Sequence, residues 1–517
     1  MSGFTYEKIP CLKELDALHG MFDPAAIVKD YKTLSERKQQ RNKIVENLEK
    51  AIELSGLRDG MTISFHHHFR SGDYIVNMVM DKLAEMGFRN LVVAASSLTD
   101  CHAPLIQHIK NGVIRHIETS GLRGQLAEEI SHGLMDVPVV FRSHGGRAYA
   151  IETGELHIDV AFLGAPSCDP YGNANGYIRE PEEENEQTLG IMCGSMGYAK
   201  TDAQYADKTI IITNHIVPYP NIPFGIPESD VDYIVVADKI GDPNGIMKGA
   251  TRFTKNPKEL MIASTCAEVI EASGYFRDGF SLQLGSGGAS LAVARFLRER
   301  MLKKGITASF ALGGITGQIV EMHEEGLIKK ILDVQSFDLT AAQSLKNNRF
   351  HAQISASYYA SPNDEGTAVN QLDLVVLSAL EIDTGYNVNV LTGADGVIRG
   401  AVGGHPDTAM GAAVSIVVAP LTRGRIPCVV DRVNTVVTPG QTIDVLVTDQ
   451  GIAVNPRRPL LMEQLRSNGI PLNTIEELRD KASRIVGEPE PLEFSDKIVG
   501  IVAYRDNTVI DMIRQVR

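Results

Sequence analysis

The amino-acid sequence predicts an α/β fold made of two homologous domains with largely parallel sheets, preceded by an N-terminal helical segment. Three observations carry that expectation. At 517 residues the chain exceeds one ordinary domain, and 43% hydrophobic content with only 6% aromatic residues suits large α/β domains. Short unbroken apolar runs alternate with stretches of helical periodicity, as a sheet covered on both faces requires. Finally, the chain repeats itself, and the repeat sets the order of elements.

The stretch SGLRDGMTISFHHHFRSGDYIVNMVMDKLAEMGFRNLVVAASSLT, from Ser55, is echoed by SGYFRDGFSLQLGSGGASLAVARFLRERMLKKGITASFALGGIT, from Ser273, at an offset of 218 or 219. NGVIRHIETS from Asn111 returns as EGLIKKILDVQS from Glu325 at an offset of 214. IDVAFLGAPSCDPYGNAN from Ile158 matches LDLVVLSALEIDTGYNVN from Leu372 at the same offset of 214, pairing Asp159 with Asp373, Asp169 with Asp383, Asn173 with Asn387 and Asn175 with Asn389. Each half therefore begins strand, turn, helix, strand: TISFH, DYIVNMVMDKLAEMG and NLVVAAS in the first, SLQLG, LAVARFLRERMLKKG and ASFALGG in the second. The expected units are residues 50–255 and 256–517. Residues 1–49 form the extension, whose charged run YKTLSERKQQRNKIVENLEKAIEL reads as helix.

A formal net charge of −14 argues against a general nucleic-acid or anionic-membrane surface while leaving room for a local basic pocket. The six cysteines are scattered, without a CxxC pair or a dense framework, which fits reduced thiols in a cytoplasm. MSGFTYEKIP has no apolar signal core, and the longest apolar run, near Met410 to Leu421, is too short to span a bilayer. A cytoplasmic protein is expected.

In LQLGSGGASLAV (282–293) a strand runs into a glycine turn and then a helix, where backbone N–H groups face outward. A dinucleotide fingerprint needs a third glycine where this chain has Ser290, and a P-loop needs a following Gly-Lys-Ser/Thr. What remains is a donor set for an anion, a phosphate or a developing oxyanion, drawn from Gly285, Ser286, Gly287 and Gly288. Further glycine turns follow at Gly313 and Gly314 (ALGGIT) and at Gly403 and Gly404 (RGAVGGHPDTAMGAA), so convergence on one site competes with close backbone packing. Where the second half has glycines the first has His66, His67 and His68. Strand-end histidines satisfied by the backbone, or a cationic patch of His66, His68 and Arg70 for carboxylates, are the two readings; no acidic or cysteine cluster completes a metal shell. RSHGGRA adds Arg142, His144 and Arg147, suited to a polycarboxylate or to plain solvation. No Gly-x-Ser-x-Gly elbow or nucleophilic cysteine setting supports covalent catalysis.

These segments, with SFHHHFRSGDYIVNMVMD, SHGGRAYAIETGELHIDVAFLGAPSCDPYGNANG, DVDYIVVADKIGDP and VTPGQTIDVLVTDQGIAV, resemble the citrate lyase α-subunit family within the wider CoA-transferase superfamily, over nearly the whole chain. The resemblance implies two CoA-transferase-type domains with the active site between the halves. It implies a transferase converting an acetyl-S-carrier and citrate to a citryl-S-carrier and acetate. The CoA-like thioester group would be supplied by an acyl carrier (γ) subunit, with a lyase (β) subunit completing an oligomeric complex, and with no metal, nucleic acid or membrane partner. Many superfamily members attack the thioester with a glutamate; aligned on the EEG helix end, its place here is Gly313. A citrate carboxylate, ionised at neutral pH, would then be the nucleophile, forming a mixed anhydride without an enzyme-glutamyl intermediate. Gly287, Gly288, Gly313 and Gly314 would supply oxyanion donors, and Gly285, Ser286, His66, His68, Arg70, Arg147, Asn175, Gly403 and Gly404 would hold citrate and the thioester. Transfer to another diacid such as malonate or citramalate, or a non-enzymatic metabolite-sensing module, are the alternatives.

Overall fold

Eighteen strands in two sheets organise the chain from Lys43 onward in a computed structural model that describes residues 25, 41–179, 191–246, 254–285, 287–487 and 491–517. In the first sheet, β1 (Ile44–Val45), β2 (Thr62–Phe65), β3 (Leu91–Ala95), β4 (Ile114–Thr119), β5 (Val139–Phe141), β6 (Val160–Ala165), β7 (Lys208–Thr213) and β8 (Tyr233–Val236) are all parallel. The second sheet contains β9 (Ser281–Leu284), β10 (Phe310–Ile315), β11 (Ile331–Ser336), β12 (His351–Gln353), β13 (Leu374–Ser378), β14 (Val414–Val418), β15 (Val445–Thr448) and β16 (Gly451–Val454), with only β16 antiparallel. Its spatial order is β12-β11-β10-β9-β13-β14-β15-β16. The last two strands, β17 (Phe494–Ala503) and β18 (Val509–Val516), extend the first sheet to β1-β8-β7-β6-β2-β3-β4-β5-β17-β18.

That C-terminal hairpin departs from its place in the sequence. It lies within 256–517, yet β17 pairs in parallel with β5, aligning Ile501 with Val140. A second departure is at the start: residues 1–24 and 26–40 of the expected helical segment lie outside the described residues, and Ile44–Val45 is an edge strand on Ile234–Val235 rather than helix. After that strand a helix starts at Leu48, where the Asn47 side chain accepts from Lys50 N. An N-cap asparagine satisfies one of the donors a helix start leaves open, so it marks the boundary the charge pattern concealed.

Within each half the expected order appears. β2 leads through a 3-10 turn (His67–Gly72) into α1 (Ile75–Glu85) and β3; β9 leads through the glycine turn and a later helix (Gly288–Lys304) into β10. The strands read as apolar runs because both faces are covered: all five residues of β3, all six of β6 and all five of β14 are buried.

Repeated side chains also do the same work twice. Asp159 accepts from Thr62 N at the start of β2 (2.7 Å), and its partner Asp373 accepts from Ser281 N at the start of β9 (2.9 Å). Asp59 caps Arg89 N and Asp278 caps Thr307 N, each at 2.8 Å. Asp169 and Asp383 each close a loop by accepting from the backbone of Asn173 or Asn387 four residues on. Such bonds need one geometry, which explains why these aspartates keep register through the repeat.

Candidate active site

Turns at the carboxyl ends of β9, β10 and β11 face polar side chains of the first half, and contacts among them run in a circuit. Gly313 has φ +100, a value open to glycine, and a Cβ there would meet the Gln283 carboxamide at 2.6 Å. Gln283 Nε2 donates to Tyr359 Oη (2.9 Å), and that hydroxyl lies where a Cβ of Gly404 would be, at 2.5 Å. Beside it, Gly403 O accepts from His144 N (2.9 Å). His144 packs at a tilt against Tyr198 (4.3 Å between centroids) and stacks on His67 (5.7 Å). His67 Nε2 lies 2.9 Å from Gln335 Oε1 and its Nδ1 lies 2.6 Å from Ser96 Oγ, so it bridges the ends of β11 and β3. From β11 the chain runs on to Phe337, whose ring packs where Gly314 has no side chain and carries the Arg70 guanidinium 4.4 Å above its centroid.

Arg70 is the single cation of this circuit. Its backbone sits at φ 53, ψ −135, a region L-residues rarely adopt, which aims the side chain at Phe337. Its Nε is buried without a hydrogen-bond partner, and Nη2 reaches Ser336 O at 3.5 Å. Burial lowers its pKa to about 10; Asp338 and Asp333 oppose that from a distance, and Arg123 adds to it. No carboxylate of the described residues forms an ion pair with it. The other groups are neutral. Burial holds His67 well below the usual imidazole range and His144 at about 3, and raises the Tyr198 and Tyr359 phenols so that both remain donors.

The remaining sequence-picked residues lie elsewhere, each for a visible reason. Arg147, expected to hold a bound carboxylate, is closed on Asp202, with Nη1 and Nη2 each donating at 2.7 Å. His66 Nε2 lies 2.9 Å from the same carboxylate, and burial lowers its pKa, so both expected ligands are buried against Asp202, Arg147 as its ion pair and His66 as a neutral ring. Asp202 is held far below the usual carboxylate range: burial opposes its charge, but Arg147 and His66 outweigh it. His68 Nε2 lies 2.8 Å from Gly164 O, the backbone-satisfied alternative, and burial lowers its pKa to about 4.

The LGSGG turn is also closed on itself. Gly285 N donates to Val376 O, and Ser290, standing where a third glycine was absent, donates to the carbonyls of Gly285 and Gly287. A Cβ on Gly287 would lie 2.7 Å from Ser378 Oγ, and one on Gly288 would lie 2.6 Å from a Glu259 carboxylate oxygen. The chain thus places its own anion against the first turn of a 17-residue helix, where the dipole favours one. Ser286 lies outside the described residues. Asn175 donates to Pro223 O at the wall of a separate cavity.

Gln283, Gln335, Tyr198 and Tyr359 were missed by sequence reasoning. A faint signal existed for two: SLQL and ILDVQS each put a glutamine inside a buried strand, where an amide needs a partner. Tyr198 and Tyr359 carried no such mark.

The architecture has solved counterparts. The α subunit of malonate decarboxylase from Acinetobacter baumannii is 16% identical with a TM-score of 0.63, covering 88% of this chain and 95% of that one. A 4-hydroxybutyrate CoA-transferase from Porphyromonas gingivalis is 18% identical with a TM-score of 0.50, covering 84% and 100%. These likenesses define the fold as CoA-transferase type. A family profile, "Citrate lyase, alpha subunit (CitF)", matches residues 41–516. The citrate lyase alpha chains of Klebsiella pneumoniae and Haemophilus influenzae are each 58% identical, the first covering 93% of both chains, the second 93% of this chain and 94% of the relative. A citrate lyase α-subunit structure from Streptococcus mutans in complex with citrate is 55% identical, TM-score 0.89, covering 95% and 96%. The chain belongs to the citrate lyase α-subunit family.

Proposed function

We propose that the protein transfers an acyl-carrier thiol from an acetyl thioester to citrate, giving a citryl thioester and acetate, at the circuit of Arg70, His67, His144, Gln283, Gln335, Tyr198 and Tyr359. The observation that carries this reading is Arg70. A half-buried guanidinium with an enclosed, unpartnered Nε, a strained backbone and no carboxylate partner among the described residues is costly unless an anion completes it, and a fork of N–H donors matches a carboxylate. The neighbouring charge of Arg123 adds to its pressure for a polyanion. The S. mutans relative bound to citrate supports that acid as the ligand.

The chemistry follows from what the circuit lacks. None of its described members is a carboxylate, and Gly313 stands where many CoA transferases carry a nucleophilic glutamate. Citrate supplies the nucleophile. One of its carboxylate oxygens attacks the acetyl carbonyl, the C–S bond breaks, and thiolate leaves with the electron pair. Thiolate then attacks the citryl carbonyl of the mixed anhydride, expelling acetate and forming the new C–S bond. No proton is needed at either step, which suits neutral imidazole, amide and phenol groups. Those donors, and the Gly313 and Gly314 backbone, are suited to the developing oxyanion, one well-placed donor being worth about 3 kcal/mol.

The thioester would arrive on the CoA-like arm of an acyl carrier subunit, with a lyase subunit acting on the product in an oligomeric complex. No helix of the described residues is long and apolar enough to cross a membrane. Incubating the chain with acetyl-CoA and citrate, malonate or citramalate and weighing the thioester products tests the proposal. Citryl-CoA and free acetate are expected. Preferential transfer to another diacid would reassign the substrate, and citrate binding without transfer to any acid would favour a sensing module.

A further inference from the structure

A second polar space lies next to this circuit. It is a cavity of about 410 Å³ whose walls come from both halves of the chain, with Arg179 and Lys200 on one side and Arg349 on the other. Lys200 is half-buried, and burial alone lowers its pKa; no carboxylate of the described residues pairs with it. A cation concentrated in a cavity of a chain whose net charge is −14 runs against the overall field. Phe224, 45% exposed, lines the same cavity.

The cavity and the circuit share their framework. Tyr198 and Lys200 occupy the first turn of one helix, Gly197–Tyr205, two residues apart and so on opposite sides of it. His351, on the cavity wall, has Nε2 3.0 Å from Asp333 Oδ2, and Ser336 Oγ donates to that same oxygen (2.6 Å) while accepting from Ser195 N (3.1 Å). A helix is about 10–12 Å across with its side chains, so a ligand reaching both places needs an extended arm between its reacting and anionic ends.

We infer that this cavity holds the phosphate groups of the thioester arm, with Lys200, Arg179 and Arg349 on the phosphate oxygens and Phe224 beside the base. The inference rests on the transferase reading for its ligand. Lysine and arginine are the cations that recognise phosphate, and an exposed aromatic face stacks on a nucleobase. Asn175, expected from sequence at the thioester, belongs to this wall, where its amide donates to Pro223 O.

The test compares acetyl-CoA with acetyl-pantetheine, which keeps the thioester and lacks the phosphates. Lys200→Glu should raise KM for acetyl-CoA at least tenfold and leave KM for acetyl-pantetheine and for citrate unchanged, with Lys200→Arg restoring the parent value. By calorimetry, CoA should bind the parent protein more tightly than pantetheine, and Lys200→Glu should abolish the difference. Inorganic pyrophosphate should compete with CoA and not with pantetheine. Equal effects on both thioesters, or equal affinities of CoA and pantetheine, would overturn the assignment. Pyrophosphate that binds without displacing CoA would make the cavity a free-phosphate site and also overturn it. If no thioester is turned over, the transferase reading fails separately, and the calorimetry still decides the cavity.

Discussion

Replacing Arg70 by glycine separates its role in binding from any role in stability. At φ 53, ψ −135 an arginine carries strain of about 1–3 kcal/mol, which glycine releases. Against that, the variant loses the guanidinium contact with Phe337, roughly 0.5–2 kcal/mol, and glycine adds about 0.5–1 kcal/mol of backbone entropy to the unfolded chain. These nearly cancel, so unfolding free energy in urea should move by no more than about 1 kcal/mol. Citrate affinity should behave differently. A hydrogen bond to a charged group is worth about 1.5–3 kcal/mol, which corresponds to a roughly 10- to 150-fold weaker Kd by calorimetry. A folded Arg70→Gly protein with parent citrate affinity would refute the anion-anchor argument. So would a stability loss above about 3 kcal/mol, because Arg70 would then be a structural residue.

Three other outcomes are expected. His68 and His405 have folded-state pKa values of about 4 and His144 of about 3, all lowered by burial, while unfolded imidazole titrates near 6.5. The unfolded chain therefore binds protons first. Their contribution is full above pH 6.5 and is lost as pH falls toward 4, at up to about 1.4 kcal/mol per pH unit for each ring. Stability from urea melts that stays flat between pH 6.5 and 4.5 would contradict this. Acetyl-CoA with borohydride should leave every glutamate unmodified by peptide mass spectrometry, and a reduced glutamyl adduct would restore covalent catalysis. Gly287→Ala presses a Cβ against Ser378 and should cost about 1–3 kcal/mol, recovered largely in the Gly287→Ala, Ser378→Ala double variant. Lost turnover at unchanged stability would instead return the glycine to the chemistry.

Local pattern alone determined a good deal of this protein. Apolar runs between helical stretches set the order of strands and helices, since a strand buried on both faces must be apolar along its length. The repeat located Asp159 and Asp373, because a side chain that caps a strand start has one place to stand. Glycines at strand ends marked Gly313, Gly314, Gly403 and Gly404, where neighbouring side chains occupy the space a Cβ would take or φ is positive.

Only the tertiary structure decided which of those marks meet. Arg147 and Arg70 look alike in sequence, both basic and beside other polar residues. One is neutralised by Asp202, 55 positions away, and the other finds no carboxylate among the described residues, a difference of partner that spacing does not encode. Gln283, Tyr359 and Gln335 are uncharged residues whose roles exist only where three strand ends converge on the first half. The C-terminal hairpin joins the first sheet because β5 had an unpaired edge, and an edge is satisfied by whichever strand can reach it, regardless of position in the chain.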